Sequence, residues 1–529
     1  MEIRDAVYGD IELLPSEVKL LDTFEMQRLR KIKQLALVHL VYPTAVHTRF
    51  DHSIGVRHCV ENILMRSHIR LSEEDRELLF KAALLHDIGH ACFSHITEEL
   101  EGVPKHTDFL KIMLNGDYKE LVIKYGVLTR EEADKTLFVS DVLKGEEGSE
   151  LLKIINKSQS EEYDKSYLAD FLNGYVDADN LDYIRRDGYF LGLSYGNYDD
   201  RIYSSFRLVQ TEIGNKVTFS DGGDSISSLL TFLRARYELY RAAYRHHTVM
   251  IADAMLHCAL EAWARNNSDL LFILGDEELL SEMRKSDKAK EMVMRLQSRR
   301  LYKRAYLINK KSPTSVIAKA ESITGKPEKQ IEFLQELTKK AGVRYDDILL
   351  NQNRRNVWKD YGKILIGAEK PYELNDVAQS ELETLQKMYD LLWDFSVYAS
   401  DPYIAIKINE ISTQIFGHKG EFQPKTAIAP VFYDTISQII SAIKIEKKAS
   451  LKILNQLHSD KKISAEDIGK ALEISRSTAS HYLTYLQKKF KEKSLDLIKS
   501  KRINYTKFWW IGDPSVFDKV KSEIRDYVY

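Results

Sequence analysis

Three fragments of the 529-residue chain concentrate metal-ligand and acid/base side chains: RFDHSIGV at 49–56, LLHDIGHACFSH at 84–95 and DADNLDYIRRDGYFLG at 177–192. In the second, His86 and Asp87 stand side by side in an apolar run, with Leu84 and Leu85 before them and Ile88 after, and the pattern predicts the middle of a helix. An imidazole and a carboxylate buried there are costly without a partner, and a metal ion is a good one. Successive helical residues point about 100° apart, so the pair converges only on something at the seam between them, with other elements completing the shell. His52 and Asp179 are suitable completers. Imidazoles with hard carboxylate oxygens suit a divalent ion (Fe, Zn, Mn, Ni or Mg), which activates water or orients phosphate oxygens. A lone His-Asp pair is more often structural. Here His90 and His95 follow, then His106 beyond Glu98 and Glu99, and four histidines within 21 residues of a chain holding 15 are not four ordinary core residues.

The elements that must position these groups read as helices. Leu78, Leu79, Ala82, Ala83, Leu85 and Ile88 mark one apolar face, and Leu229, Leu230, Leu233, Tyr237, Tyr240 and Tyr244 mark another, so the body is expected to be mainly α. One clear strand-like region precedes the tail, Lys216 to Ser220 after the turn at Gly214-Asn215, and Asn309 to Pro313 reads as a loop. Hydrophobic residues at 44% and charged residues at 29% exclude a largely disordered or collagen-like chain. Cys59, Cys92 and Cys258, odd in number and without CxxC spacing, exclude a disulfide framework and a thiolate zinc site, which points to a reducing compartment. The first residues, MEIRDAVYGDIELL, hold no apolar leader, and no run approaches the roughly 18 apolar residues a spanning helix needs. A soluble, cytoplasmic protein without a membrane partner is expected. Residues 449–529 carry 16 Lys/Arg against 10 Asp/Glu, so a mildly basic tail follows a body of net −8.

The ordered series YGDIEL at 8–13, LLDTFEMQRLRKIKQL at 20–35, RFDHSIGV, LLHDIGHACFSH, the Asp179 segment and RARYELYRAAYRHH at 234–247 resembles the HD-domain phosphohydrolases, within them the deoxynucleoside triphosphate triphosphohydrolases. The resemblance covers roughly residues 1–265. It implies an HD-domain helical core in which His52, His86, Asp87 and Asp179 hold the catalytic metal. His95 resembles the histidine that protonates the leaving 5′-oxygen or otherwise attends the α-phosphate, Glu98 stands where a carboxylate supports it, and His90 and His106 match histidines lining the phosphate site. Arg49, Tyr183, Asp187, Arg236 and Tyr244 match residues that hold the triphosphate, sugar or base, and Gln34 with Leu35 matches a sugar-contacting pair. Asn180 stands where close relatives carry Lys, and Arg245 where a Gln often follows the tyrosine, so one phosphate-neutralising charge and the base selectivity differ from the pattern. Asp22 and Arg30 match positions that bind a guanine base at a regulatory site, which implies a GTP or deoxynucleotide activator; read as one helix, they lie two turns apart. RRLYKR at 299–304 resembles an accessory cationic segment, and the family's habit of tetramers or hexamers implies a homo-oligomer.

Three regions are expected: an HD core over 1–265, a mostly helical accessory and oligomerisation region over 266–440, and a winged helix-turn-helix over 441–529. In the tail, Ser464 reads as a helix cap, Leu472-Glu473-Ile474 as a turn, and Ser475 as the start of a recognition-type helix bearing Arg476, Ser477 and Thr478. Arg502 and Lys507 fall in the extended wing, so these six residues from Ser475 to Lys507 are the candidate contacts to DNA. The leading expectation is metal-dependent hydrolysis of deoxynucleoside triphosphates to deoxynucleoside and inorganic triphosphate. The alternatives are a phosphodiesterase or nuclease acting on oligonucleotides, and a nucleotide-sensing DNA-binding regulator.

Overall fold

The computed structural model describes residues 1–143, 145–157, 165–211, 214–265, 267–351 and 358–424, and in the tail residue 484 and the strands at 463–464, 498–503 and 506–511. The fold is mainly α, as expected. Two compact units divide the chain: residues 1–336 with 348–398, and residues 337–347 with 399–529.

The first unit opens with a hairpin, Glu2–Asp5 against Gly9–Glu12. Three helices then carry the ligand-type residues. Arg49–Arg66 begins on a reciprocal cap: the Asp51 carboxylate accepts from Thr48 N at 2.8 Å while Asp51 N reaches the Thr48 hydroxyl at 3.4 Å. This sets Arg49 in the first turn and His52 one turn on. Glu73–Leu85 is capped by Ser72 and buries Leu78, Leu79, Phe80, Ala82, Ala83, Leu84 and Leu85, the face read from the sequence. Each fully buried Leu or Phe is worth about 1.5–3 kcal/mol. Ala178–Leu191 starts at Asp177, whose side chain accepts from Asn180 N at 2.8 Å. Asp179, Asp182, Tyr183, Arg186 and Asp187 follow at helical spacing on neighbouring faces of it.

Gly223–Leu239 continues into a single π-helical turn, Tyr240–Tyr244, which re-aims the tyrosines of the second apolar face. Helix His247–Ala264 follows.

Three sequence expectations are corrected. His86 and Asp87 do not lie within a helix: the helix ends at Leu85 and the pair occupies the turn beyond it, where Ile88 N bonds back to Leu85 O at 3.1 Å. Asp22 and Arg30 are not on one helix, because Thr23 is extended between helices Pro15–Leu21 and Phe24–Arg28, and Arg30 falls in the 3-10 turn after the second. Strand structure before the tail is wider than the one region read. The hairpin at Gly214–Phe219 is present, paired antiparallel with Phe206–Thr211, and Phe219 also pairs with Ile366. A further sheet sets Asp394–Ala399 between Lys303–Asn309 and Ile348–Leu350.

In the second unit the described residues include helix Pro402–Phe416 and a three-stranded antiparallel sheet of Ile463–Ser464, Thr506–Ile511 and Ile498–Ile503, in which Arg502 is the register partner of Lys507. The turn at 472–474 and the helix read at Ser475, Arg476, Ser477 and Thr478 lie outside the described residues.

Candidate metal centre

Two imidazoles and two carboxylates converge where the Arg49–Arg66 and Ala178–Leu191 helices meet the His86 turn. His52 Nε2 lies 3.0 Å from Asp179 Oδ1 and 3.6 Å from Asp87 Oδ2. His86 Nε2 lies 3.5 Å from Asp87 Oδ1 and 3.9 Å from Asp179 Oδ1. Both imidazoles are oriented from behind. His52 Nδ1 meets Asp182 Oδ2 at 2.7 Å, and His86 Nδ1 meets Ala83 O at 2.8 Å. With Nδ1–H donating in each ring, both buried Nε2 atoms face the carboxylates, where a proton or a metal ion can bridge the two, and His52 Nε2 has Asp179 Oδ1 as its nearest acceptor. This is the tautomer and second-layer arrangement that metal-bound histidines adopt, so the donor set fits a divalent ion. Ligand atoms of His52, His86 and Asp87 lie within 4.8 Å of one another, as do those of Asp87, His90 and His106.

Electrostatics agree with a cation here. Burial opposes charge on the Asp87 carboxyl, but Arg49, His86 and His90 outweigh it and hold it well below the usual range. Asp179 is likewise lowered by His52 against its burial. Burial alone would keep His52 neutral; the carboxylates of Asp179 and Asp182 carry its ring to about 10 instead, a demand for positive charge at Nε2 that a metal ion also meets. Asp182 is in turn paired with Arg186, whose Nε and Nη2 donate to it at 2.9 and 3.0 Å, and Arg186 Nη1 reaches Asp5 Oδ2 of the opening hairpin at 2.8 Å.

Two glycines permit this approach. A Cβ on Gly55 would fall 1.9 Å from Asp182 Oδ1, and one on Gly89 would fall 2.1 Å from His106 O. The segment beyond His86 is pinned by Arg28, which donates to His90 O at 2.9 Å and to Leu271 O at 3.2 Å. Phe93 and Ser94 adopt φ of 55° and 45°, held by the bond from Phe93 N to Asp276 Oδ1 at 3.0 Å. Ser94 Oγ then receives Arg49 Nε at 2.6 Å, while Arg49 Nη1 bonds Asp87.

A histidine cluster borders the centre. His90 and His106 stack with centroids 4.1 Å apart, Glu98 Oε1 meets His106 Nδ1 at 2.6 Å, and His95 Nδ1 lies 3.5 Å from Glu98 Oε2. His95 is mostly exposed. Burial, then the Arg49 charge, lowers His90 to about 3 and keeps it neutral, whereas His106 and His95 overcome burial to keep Glu98 ionised.

Further along, Arg236 is buried, with Nε donating to the Tyr183 hydroxyl at 2.9 Å and Nη1 to that of Tyr389 at 3.1 Å. Tyr244 donates to Asp187 Oδ2, and His47 Nε2 meets Asp187 Oδ1 at 2.8 Å. Gln34 and Leu35 are half-buried, and Gln34 N donates to His47 O at 3.0 Å. Asp22 and Arg30 are exposed, and the Arg30 guanidinium lies 3.6 Å from the Phe50 ring centroid. In the RRLYKR stretch, Arg299 Nε donates to Leu40 O at 3.1 Å, and Lys303 and Arg304 begin a strand.

The residues sequence reading passed over are those that orient others: Asp182, Arg186, Asp5, Asp177, Ser94, Arg28 and His47. Asp182 stands three residues after Asp179, on the helix already singled out, and that spacing was the available signal.

Parts of the chain are similar to known proteins. Residues 49–166 match the HD domain and residues 214–424 the HD associated region. The first match spans His52, His86 and Asp87, the second spans Arg236 and Tyr244, and Asp179 lies between the two. The human deoxynucleoside triphosphate triphosphohydrolase SAMHD1 is 29% identical over 275 residues, 48% of this chain and 43% of that protein. The uncharacterized protein MJ1154 of Methanocaldococcus jannaschii is 34% identical over 305 residues, 57% of this chain and 58% of that one. The chain thus spans about half the length of the curated relatives it matches. A hypothetical protein from Aquifex aeolicus, known from its crystal structure, superposes with a TM-score of 0.56 at 26% identity, over 78% of this chain and 99% of that one.

Proposed function

We propose that this chain hydrolyses deoxynucleoside triphosphates to deoxynucleoside and inorganic triphosphate at a divalent metal held by His52, His86, Asp87 and Asp179. The observation that carries the reading is the pair of buried Nε2 atoms facing two carboxylates, each ring oriented through Nδ1. The name of the human relative supports the substrate. When bound, the ion supplies Lewis acidity and a more acidic water beside the α-phosphorus.

The chain's own residues do the rest. Arg49, fixed by Asp87 and Ser94, presents a permanent positive charge to phosphate oxygens. His90, neutral, and His106, oriented by Glu98, line the phosphates as hydrogen-bond donors. His95, at the exposed edge and beside the ionised Glu98, gives its proton to the departing 5′-oxygen. Arg236 addresses the distal phosphates from its tyrosine cage, while Tyr183, Tyr244, Asp187, Gln34 and Leu35 enclose the nucleoside.

A purine nucleotide bound near the exposed pair Asp22 and Arg30 is the proposed activator, and a homo-oligomer the proposed assembly. The antiparallel strands 498–503 and 506–511, joined by 463–464, support a wing in the tail that docks nucleic acid through Arg502 and Lys507. No helix among the described residues is long and apolar enough to cross a membrane. Incubation with each of the four deoxynucleotides, singly and with GTP, tests the reading: nucleoside plus triphosphate supports it, and release of single phosphates overturns it.

A further inference from the structure

His47 lies two residues before the start of the helix Arg49–Arg66 and is buried, at 2% exposure. Its backbone is laced to the opposite segment. Gln34 N donates to His47 O at 3.0 Å, Arg49 N donates to Ile32 O at 2.9 Å, and Lys33 and Thr48 form an antiparallel bridge between them. These two hydrogen bonds, which make the bridge, therefore hold the Ile32–Gln34 segment against His47–Arg49.

The His47 imidazole does a second thing. Its Nε2 meets Asp187 Oδ1 at 2.8 Å, its face stacks on Phe190 with centroids 4.6 Å apart, and its Nδ1 is buried without a hydrogen-bond partner among the described residues. The Nε2–H tautomer is thus the one that satisfies Asp187. Tyr244 donates to the other carboxylate oxygen. Asp187 is thus held from both sides, and its remaining lone pairs can only accept. A carboxyl whose free lone pairs only accept disfavours phosphate oxygens and suits a neutral donor such as a hydroxyl.

We propose that His47 is a positioning residue for the sugar side of the nucleotide pocket: its carbonyl places Gln34 and its imidazole fixes Asp187 to accept from a sugar hydroxyl. The inference rests on the nucleotide reading above and goes beyond it by naming what orients the sugar contacts. Through the same two hydrogen bonds, the sugar and phosphate ends of the pocket share one backbone scaffold, with Arg49 two residues from His47.

The test is equilibrium binding to the full chain of each deoxynucleoside triphosphate and its 2′,3′-dideoxy counterpart, both carrying nitrogen in place of the scissile 5′-oxygen so that neither is turned over, in wild type, His47→Phe and His47→Gln. Phe keeps a ring against Phe190 but removes the donor; Gln returns an N–H near Nε2. Wild type is expected to favour the hydroxylated ligand by ~10–100-fold, the size of a hydrogen bond to a charged acceptor. His47→Phe is expected to collapse that ratio to near unity while circular dichroism and metal content stay as in wild type, and His47→Gln to restore most of it. If the phenylalanine variant does not fold, His47→Asn, which retracts the donor, is expected to give the same collapse. A wild-type ratio retained without the donor overturns the inference while leaving the nucleotide reading intact, as does a wild type that ignores the 3′-hydroxyl. A wild type that binds neither ligand overturns the nucleotide reading itself.

Discussion

Replacing Asp182 by Asn leaves His52 Nδ1 with a weaker acceptor and removes one charge from the pair with Arg186, without touching a proposed ligand atom. The expected result is a ~10–100-fold loss of metal affinity, measured by competition with a chelator, with turnover falling in step. His86→Ala with Asp87→Ala is expected to remove both bound metal and turnover while leaving helix content unchanged. Glu25 gives a residue-scale prediction of a different kind. Burial pushes its carboxyl up to about 8, against the hydrogen bonds it accepts, one of them from Val139 N at 3.1 Å. Its folded value lies above its unfolded one, so its contribution is intact below about pH 4.5 and is lost as pH rises through about 8. Melting curves of Glu25→Gln against wild type are expected to separate between pH 5 and 8 by ~3–5 kcal/mol; a gap that does not change with pH contradicts this. At this scale the residues brought together at the site were legible, because His and Asp are conspicuous inside apolar runs. Their orienting partners were not, since Asp182 meets His52 across 130 positions of sequence and no local pattern reports that.

At the scale of elements, close approach of the His52 helix to Ala178–Leu191 depends on Gly55. Gly55→Ala puts a Cβ 1.9 Å from Asp182 Oδ1 and 2.3 Å from Arg186 Nη2. The helices must separate, at a cost of about 1–3 kcal/mol, and His52 moves with its helix. Thermal melts with and without metal are expected to show lower stability and a smaller metal-induced gain together; loss of stability alone would place the clash away from the centre. The apolar faces at Leu78 and Leu229 were readable from helical period. The end of the helix at Leu85 was not, because Leu84, Leu85 and Ile88 continue the apolar pattern through the turn, and only Gly89 marks a break. The short strands Leu365–Ile366 and Tyr372–Glu373 escaped for a related reason: two residues carry no period at all.

For the molecule as a whole, the centre ties the opening hairpin, through Asp5 and Arg186, to the helices that hold the proposed metal. Metal binding to the folded chain alone is therefore expected to raise stability, by about 2.7 kcal/mol at a free concentration a hundred times Kd, read as a higher melting temperature that a chelator reverses. The mainly α character was legible from the helical period of the apolar residues. The division into two units was not, because its first unit returns at residues 348–398 after a detour, a contact pattern between segments far apart in sequence. The most direct measurement is ion-exchange separation of the products formed from each deoxynucleoside triphosphate by the metal-loaded chain, alone and with GTP. Deoxynucleoside and inorganic triphosphate in equal amounts, absent from the His86→Ala, Asp87→Ala variant, is the expected result. Nucleoside mono- or diphosphate as the product, or no product with metal bound, would contradict the proposed function.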